Sequence, residues 1–186
     1  MHWNDHSRYE GLHAFLSASK YHWINYDDEK LIWMYKNTEL AALKGTETHE
    51  FAALCIKRAQ KLPKQRQTLN MFVNDAIGFR MRPEQILFYS ENCFGTADAI
   101  SFDGKKLRIH DLKTGVTKTH MEQLIVYAAL FCLEYSVNPK DISVELRIYQ
   151  NNDYLVCEPT AEAIIVIMAT IQRFDKLINK IKEEES

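Results

Sequence analysis

Residues 94–127 read FGTADAISFDGKKLRIHDLKTGVTKTHMEQLIVY. Two apolar runs flank Asp103-Gly104-Lys105-Lys106, whose composition is that of a hairpin turn. A turn over those four residues pairs Phe102 with Leu107, Ile100 with Ile109 and Asp98 with Asp111. All six then lie on one face, because side chains alternate with a period of two. A two-residue turn moves Asp111 only to the diagonal of Asp98. Directly opposed residues bring their Cβ atoms to roughly 4.5–5.5 Å, so two carboxylates there repel each other unless a cation offsets them. Lys113 shares the parity of Asp111 and adds an ammonium to the same face. Hard oxygen ligands suit Mg²⁺ or Mn²⁺ better than zinc, and a divalent cation beside a lysine is what attack of water on a phosphodiester needs. A surface hairpin kept soluble by its acids is the competing reading, since D-x-K is a short pattern.

Downstream, Thr119 and Glu122 form a T-x-x-E capping box, which predicts a helix starting near His120. Met121, Leu124, Ala128, Phe131 and Tyr135 recur at helical spacing and mark one buried side. Gln123 and Tyr127 are i, i+4 neighbours at the start of that helix. An amide and a phenol placed there can reach back to hydrogen-bond a lysine or a phosphate oxygen. Upstream, residues 45–62, GTETHEFAALCIKRAQKL, read as another helix with Phe51, Ala52, Cys55, Ile56 and Ala59 inward and His49 and Glu50 in its first turns. Lys57, Arg58, Lys61, Lys64 and Arg66 bracket Pro63. This basic run suits phosphate contact, and equally a solvated helix end favoured by the macrodipole.

The rest of the chain supplies a scaffold. Residues 1–15 are irregular, residues 17–24 open a short helical stretch, and Trp23, Trp33 and Tyr35 read as core. A helix is predicted over 68–82, ending near Gly78, and a strand over 85–90 with Glu91 at its end, which is not counted as a ligand. Residues 143–150 alternate as a half-buried strand, Asn151-Asn152-Asp153 turns the chain, and 154–157 is a further strand. After Pro159, Ile164, Ile167, Met168, Ile171, Phe174, Ile178 and Ile181 stripe a terminal helix. The expected fold is one α/β domain over residues 1–186. Its N-terminal helical region is 1–44, its core 45–157 is a mixed sheet with a central antiparallel hairpin flanked by helices, and its C-terminal helix is 158–186.

Composition agrees with this. A chain of 186 residues with 46% hydrophobic content suits a single sizeable core. No run approaches the length of a membrane span, and MHWNDHSRYE lacks signal-peptide architecture. The cysteines at 55, 93, 132 and 157 form no C-x-x-C pair, so neither a disulfide framework nor a zinc ribbon is indicated, and the expected setting is cytoplasmic. The formal charge of −2 neither advertises nor forbids nucleic-acid binding.

The order Gly95-Thr96-Ala97-Asp98, Asp111-Leu112-Lys113-Thr114-Gly115 and Gln123-Leu124-Ile125-Val126-Tyr127, with His49-Glu50 on an earlier helix, resembles the PD-(D/E)XK nuclease superfamily. The branch it is most similar to is the RecB-type exonucleases, which include CRISPR-associated and phage-encoded members. The resemblance runs from about Leu16 to about Gln150. It implies a restriction-endonuclease-like core and metal-dependent hydrolysis of DNA phosphodiesters, on double- or single-stranded DNA, in phage or bacterial recombination or repair. Carried over residue by residue, Asp98, Asp111 and His49 would hold Mg²⁺ or Mn²⁺, with the carbonyl of Leu112 a further ligand. His49 stands four residues after Gly45, as in the pattern G-x-x-x-H, and an imidazole favours Mn²⁺ over a purely oxygen-lined site. Lys113 would orient the attacking water or stabilise charge on phosphorus. Gln123 and Tyr127 would position Lys113 and the nucleic-acid backbone, and Lys57, Arg58, Lys61 and Lys64 would contact phosphates. Some relatives carry an iron–sulfur cluster on one cysteine ahead of the core and three grouped behind it. Here no cysteine precedes Cys55 and the later ones lie far apart, so no iron–sulfur cluster is expected. Ring-forming relatives make a homo-oligomer or a recombination partner compatible, and a phage-encoded member would work in the bacterial host cytoplasm. A structure-specific endonuclease, or a DNA- or partner-binding module without turnover, would share the fold. Intact Asp98, Asp111 and Lys113 argue against the second.

Overall fold

Asp103 closes the central hairpin by accepting from the backbone N–H of Lys105 at 2.9 Å and of Lys106 at 2.7 Å. Gly104 takes φ +98°, where a side chain would be strained. The computed structural model, which describes residues 1–37, 47–115 and 119–184, builds a five-stranded mixed sheet outward from this turn. Strands β1 (Arg82–Ser90), β2 (Cys93–Phe102), β3 (Lys106–Leu112), β4 (Ser143–Gln150) and β5 (Asp153–Cys157) lie side by side in sequence order. β2 and β3 pair antiparallel with Phe102 opposite Leu107 and Ile100 opposite Ile109, the register predicted from the turn. β3 and β4 are parallel, so the chain must cross over between them. β5 returns antiparallel through Asn151 and Asn152, whose φ values of +53° and +57° are those of a tight two-residue hairpin.

Helices cover both faces. On one face Ile100, Leu107, Ile109, Leu146 and Ile148 meet α4 (Glu122–Glu134) and α5 (Ala161–Glu184). On the other, Ala99, Leu112 and Tyr149 meet α2 (Glu47–Lys57) and α3 (Thr68–Gly78). A shorter helix, α1 (Asp28–Asn37), packs on α5. Ile164, Ile167, Ile171, Phe174, Ile178 and Ile181 form the buried stripe of α5.

Several expectations are corrected. The T-x-x-E box does not cap α4: Met121 is its N-cap with no side-chain hydrogen bond, and the Thr119 hydroxyl instead lies 3.5 Å from Gln150 Oε1. Nor does α4 bury one side only. Leu124, Val126, Tyr127 and every residue from Ala128 to Cys132 are buried, because the helix is enclosed between the sheet and α5. The uninterrupted run Leu124–Leu133 carries that signal, since a helix apolar all round is an internal one. α2 stops at Lys57 rather than near Leu62. Ala59 adopts φ +51° and the Gln60 N–H donates to the Cys55 carbonyl at 2.9 Å, a left-handed termination. Gly45 and Thr46 lie outside the described residues. Trp23 is core, but Trp33 is 62% exposed. The polar face of β4 is covered too, with Tyr149 buried against Phe72 and Asp75 of α3 and Glu145 buried among Lys106, Arg108 and Arg147. Among the described residues no helix is long and apolar enough to cross a membrane.

Candidate functional site

Three adjacent strands each offer an acid at one level of the sheet. In the β1/β2 ladder Pro83 faces Ala99 and Gln85 faces Ala97, which puts Glu84 across from Asp98. In the β2/β3 ladder Ala99 faces His110, and the same register carried one residue further brings Asp98 to Asp111. Asp98 therefore sits between Glu84 and Asp111. From above, α2 contributes His49, whose Nδ1 lies 3.4 Å from Asp98 Oδ2. The backbone N–H of Leu112 donates to that same oxygen at 2.8 Å. Ligand atoms of His49, Glu84 and Asp98 all fall within 4.8 Å of one another. Glu84 holds φ +50° inside a strand, a left-handed conformation that costs a non-glycine residue about 1–3 kcal/mol and recurs at functional sites.

Beside this cluster stands a second constellation. Asp111 is only 3% exposed. Lys113 Nζ approaches its Oδ2 at 3.1 Å and donates to Gln123 Oε1 at 2.9 Å, while Gln123 Nε2 lies 3.4 Å from Asp111 Oδ1. Asp111 Oδ2 has the charge of Lys113 for company but no aligned hydrogen bond. Burial, and then the charge of Asp98, push the Asp111 carboxyl up to about 7 despite the opposing pull of Lys113. Glu84 is likewise raised to about 7, by desolvation in the cleft and by Asp98. Its side chain retains solvent exposure, so screening tempers that effect. His49 is raised in turn, chiefly by its hydrogen bond to Asp98, against the cost of its own burial.

The expected site residues are distributed unequally. Gln123 touches Lys113 as foreseen. Tyr127 does not: it is 4% exposed, and its hydroxyl donates to the Thr96 carbonyl at 2.5 Å, so it braces β2 against α4. Gly95 makes room for it, because a Cβ there would stand 3.2 Å from Tyr127 Cε1. Asp111 is not among the His49, Glu84 and Asp98 groups that lie within 4.8 Å of one another; its carboxylate is engaged by Lys113. Leu112 offers Asp98 its N–H. Lys57, Arg58, Lys61 and Lys64 are exposed, and the charge of Lys57 is felt at Glu84. The loop bearing Lys61 and Lys64 is fastened to α3, where Asn74 bonds both the N–H and the carbonyl of Leu62 and Asn70 donates to the Pro63 carbonyl.

Glu84 is the residue that sequence reading missed. No local pattern announced it: the two-residue turn pairs Ser90 with Cys93, a register that would set Glu84 opposite Ala99, and only a one-residue shift between Phe88 and Ser90 brings Glu84 across from Asp98. Starting β1 at Gln85 removed Glu84 from consideration.

A further polar group lies on the opposite face of the sheet. His110 is wholly buried, with Phe79 edge-on to its ring and Tyr149 Oη 3.4 Å from Nδ1. Tyr149 donates to Asp75 at 2.7 Å, and Arg147 spans Asp75 and Glu145. Burial, with the charge of Arg147, drives the His110 imidazole down to about 3. This cluster joins α3 to the sheet.

No family model matches the chain, and no curated protein matches it. One solved structure, "Crystal structure of SSO0001", aligns over 77% of this chain and 82% of its own with 13% identity and a TM-score of 0.30, a likeness that carries no argument about fold or function.

Proposed function

We propose that the protein is a Mg²⁺- or Mn²⁺-dependent deoxyribonuclease with a PD-(D/E)XK core, acting as an exonuclease in phage or bacterial DNA recombination or repair. The observation that carries this reading is the convergence of His49, Glu84 and Asp98 to within 4.8 Å beside the buried Asp111–Lys113 pair. One nitrogen and two carboxylate oxygens are a donor set for Mn²⁺ or Mg²⁺. Asp111, whose Oδ2 lies 3.1 Å from Lys113 outside that trio, would be a fourth donor on binding of the ion. A divalent ion held by these residues would polarise a phosphoryl oxygen and activate water.

The chain's own groups do the rest. Gln123 fixes the Lys113 ammonium so that its charge is directed at the negative charge growing on the phosphoryl oxygens. The Leu112 N–H and His49 hold Asp98 in one rotamer, which keeps the ligand cluster preorganised. Lys57, Arg58, Lys61 and Lys64 are placed on the surface for phosphate contact away from the reacting centre.

A gel assay with end-labelled linear, circular and branched DNA, in chelator and then with Mg²⁺ or Mn²⁺, tests the reading. Linear DNA should shorten from its ends only when the cation is present. Full cleavage in chelator removes the metal mechanism, and cleavage of closed circles moves the assignment from exonuclease to endonuclease.

A further inference from the structure

The two edges of the sheet are finished differently. β1 carries Pro83, which has no N–H, its register with β2 shifts between Phe88 and Ser90, and the Phe88 N–H donates to Glu134 Oε2 at 2.7 Å. Proline, an irregular register and a charged side chain over a backbone donor are devices that keep an edge from pairing with another chain. β5 has no proline, no lysine and no register shift: it reads Asp153-Tyr154-Leu155-Val156-Cys157. Tyr154, Leu155 and Val156 are all exposed, Leu155 by 60%.

The hairpin fixes which backbone groups of β5 face outward. Its two-residue turn makes Gln150 and Asp153 a hydrogen-bonded pair, so Ile148–Leu155 and Leu146–Cys157 are bonded pairs too. The N–H and C=O groups of Tyr154 and Val156 therefore point away from β4. The Tyr154 N–H donates to the carboxylate of adjacent Asp153 at 2.9 Å, a local bond at an exposed site that an incoming carbonyl can replace. A second β5, run antiparallel about a two-fold axis at Leu155, matches this edge residue for residue. Leu155 meets its own copy, Tyr154 meets Val156 of the second copy, and Asp153 meets Cys157. Each Tyr154–Val156 pair exchanges two main-chain hydrogen bonds, apolar side chains meet on both faces, and no like charges oppose. A shift of two residues either way sets Asp153 against Leu155 or Glu158 against Tyr154. We propose that β5 is a homodimerisation edge, through which two copies of the chain join their sheets into one closed, two-fold pair. The axis of such a pairing is perpendicular to the sheet, so the α2 and α3 faces of both copies, each with its His49, Glu84 and Asp98, lie on the same side. The proposal stands apart from the nuclease reading; together they give two sites facing one way.

Sedimentation equilibrium of the full chain should show a monomer–dimer equilibrium with a Kd on the order of 1–100 μM, as suits a small contact. Leu155→Lys sets two ammonium groups against each other at the axis and should weaken it at least about 10-fold. Val156→Pro removes a donor that points outward and none that bonds β4. It should weaken dimerisation by a similar factor, with thermal unfolding of the monomer near parental. Leu155→Cys, combined with Cys157→Ser, should form an interchain disulfide under mild oxidation, because Cα atoms of a non-hydrogen-bonded pair stand about 4.5 Å apart, within disulfide reach. Val166→Cys in the same background, exposed on α5, should not. A chain that stays monomeric throughout that range, or that grows beyond dimers, overturns the proposal. So does a dimer of parental strength in both Leu155→Lys and Val156→Pro, or cross-linking of Leu155→Cys no faster than of Val166→Cys. If Val156→Pro fails to fold, Leu155→Lys and the cross-link decide the matter.

Discussion

The Lys113 ammonium stands 3.1 Å from Asp111 Oδ2 and is held there by Gln123, whose amide oxygen accepts from it at 2.9 Å. One cation thus serves a buried acid and lines an adjoining cleft. Lys113→Ala should lower turnover by at least about 10²- to 10³-fold, the scale for losing a preorganised charge stabiliser. Cation affinity should hold or rise, because a positive charge has left the neighbourhood. Single-turnover cleavage and Mn²⁺ titration, run side by side, check this; parental cleavage or loss of the metal would contradict the role given to Lys113.

Glu84 enters the proposed ligand set on geometry, since its carboxylate lies with His49 and Asp98 within 4.8 Å. Glu84→Gln should weaken Mn²⁺ binding by at least about 10-fold, which at saturating metal removes about 1.4 kcal/mol of ligand-induced stabilisation. Glu50→Gln should leave binding unchanged, since Glu50 is exposed and points away around α2. Differential scanning calorimetry with and without Mn²⁺ distinguishes the two, and equal behaviour would return Glu84 to the status of a surface acid.

Gln123 and Tyr127 read alike in sequence and should behave differently. Gln123→Ala releases Lys113 and should slow turnover about 10- to 100-fold at nearly constant stability. Tyr127→Phe loses a buried hydrogen bond to the Thr96 carbonyl and should cost about 1–2 kcal/mol in urea unfolding. A stability loss in Gln123→Ala with none in Tyr127→Phe would reverse these roles.

The pH dependence of stability, measured in chelator, should combine opposing contributions, with Glu84 and His49 adding to that of Asp111 and His110 opposing it. Asp111 is raised from its ordinary range to about 7, so the folded state holds a proton that the unfolded chain has already released. Its contribution is complete below about pH 4 and is lost as pH rises toward 7; Asp111→Asn should flatten that fall. His110 is lowered to about 3, so its contribution is present above about pH 6.5 and is lost as pH drops toward 3. His110→Phe, which keeps an aromatic ring beside Phe79 and Tyr149, should make the acid limb shallower. Unchanged slopes in both variants would show that neither group shifts on folding.

The sheet was largely legible because its information is local. Asp103 and Gly104 dictate the turn, and period two then carries the register from Phe102–Leu107 to Ile100–Ile109 without knowledge of anything distant. β4 and the stripe of α5 were read from alternation and helical spacing in the same way. The convergence of Lys113 with Asp111 follows from that parity alone. Where sequence reading stumbled, the deciding contacts were nonlocal. Thr119 forgoes its cap and lies near Gln150, on a strand tens of residues later, and α4 is enclosed by a helix that the chain has not yet reached.

By itself, then, the sequence determined the hairpin, its register and the acid–lysine face, since each depends on backbone geometry and side-chain alternation over a few residues. Only the tertiary structure decided which groups meet. Packing of α2 over the sheet brings His49 to Asp98, and a left-handed residue in β1 turns Glu84 toward them. Burial raises the proton affinity of Asp111, and Tyr127 packs against Gly95 with its hydroxyl on the Thr96 carbonyl. These outcomes depend on desolvation and on distances between elements far apart in the chain, quantities that no local pattern of residues encodes.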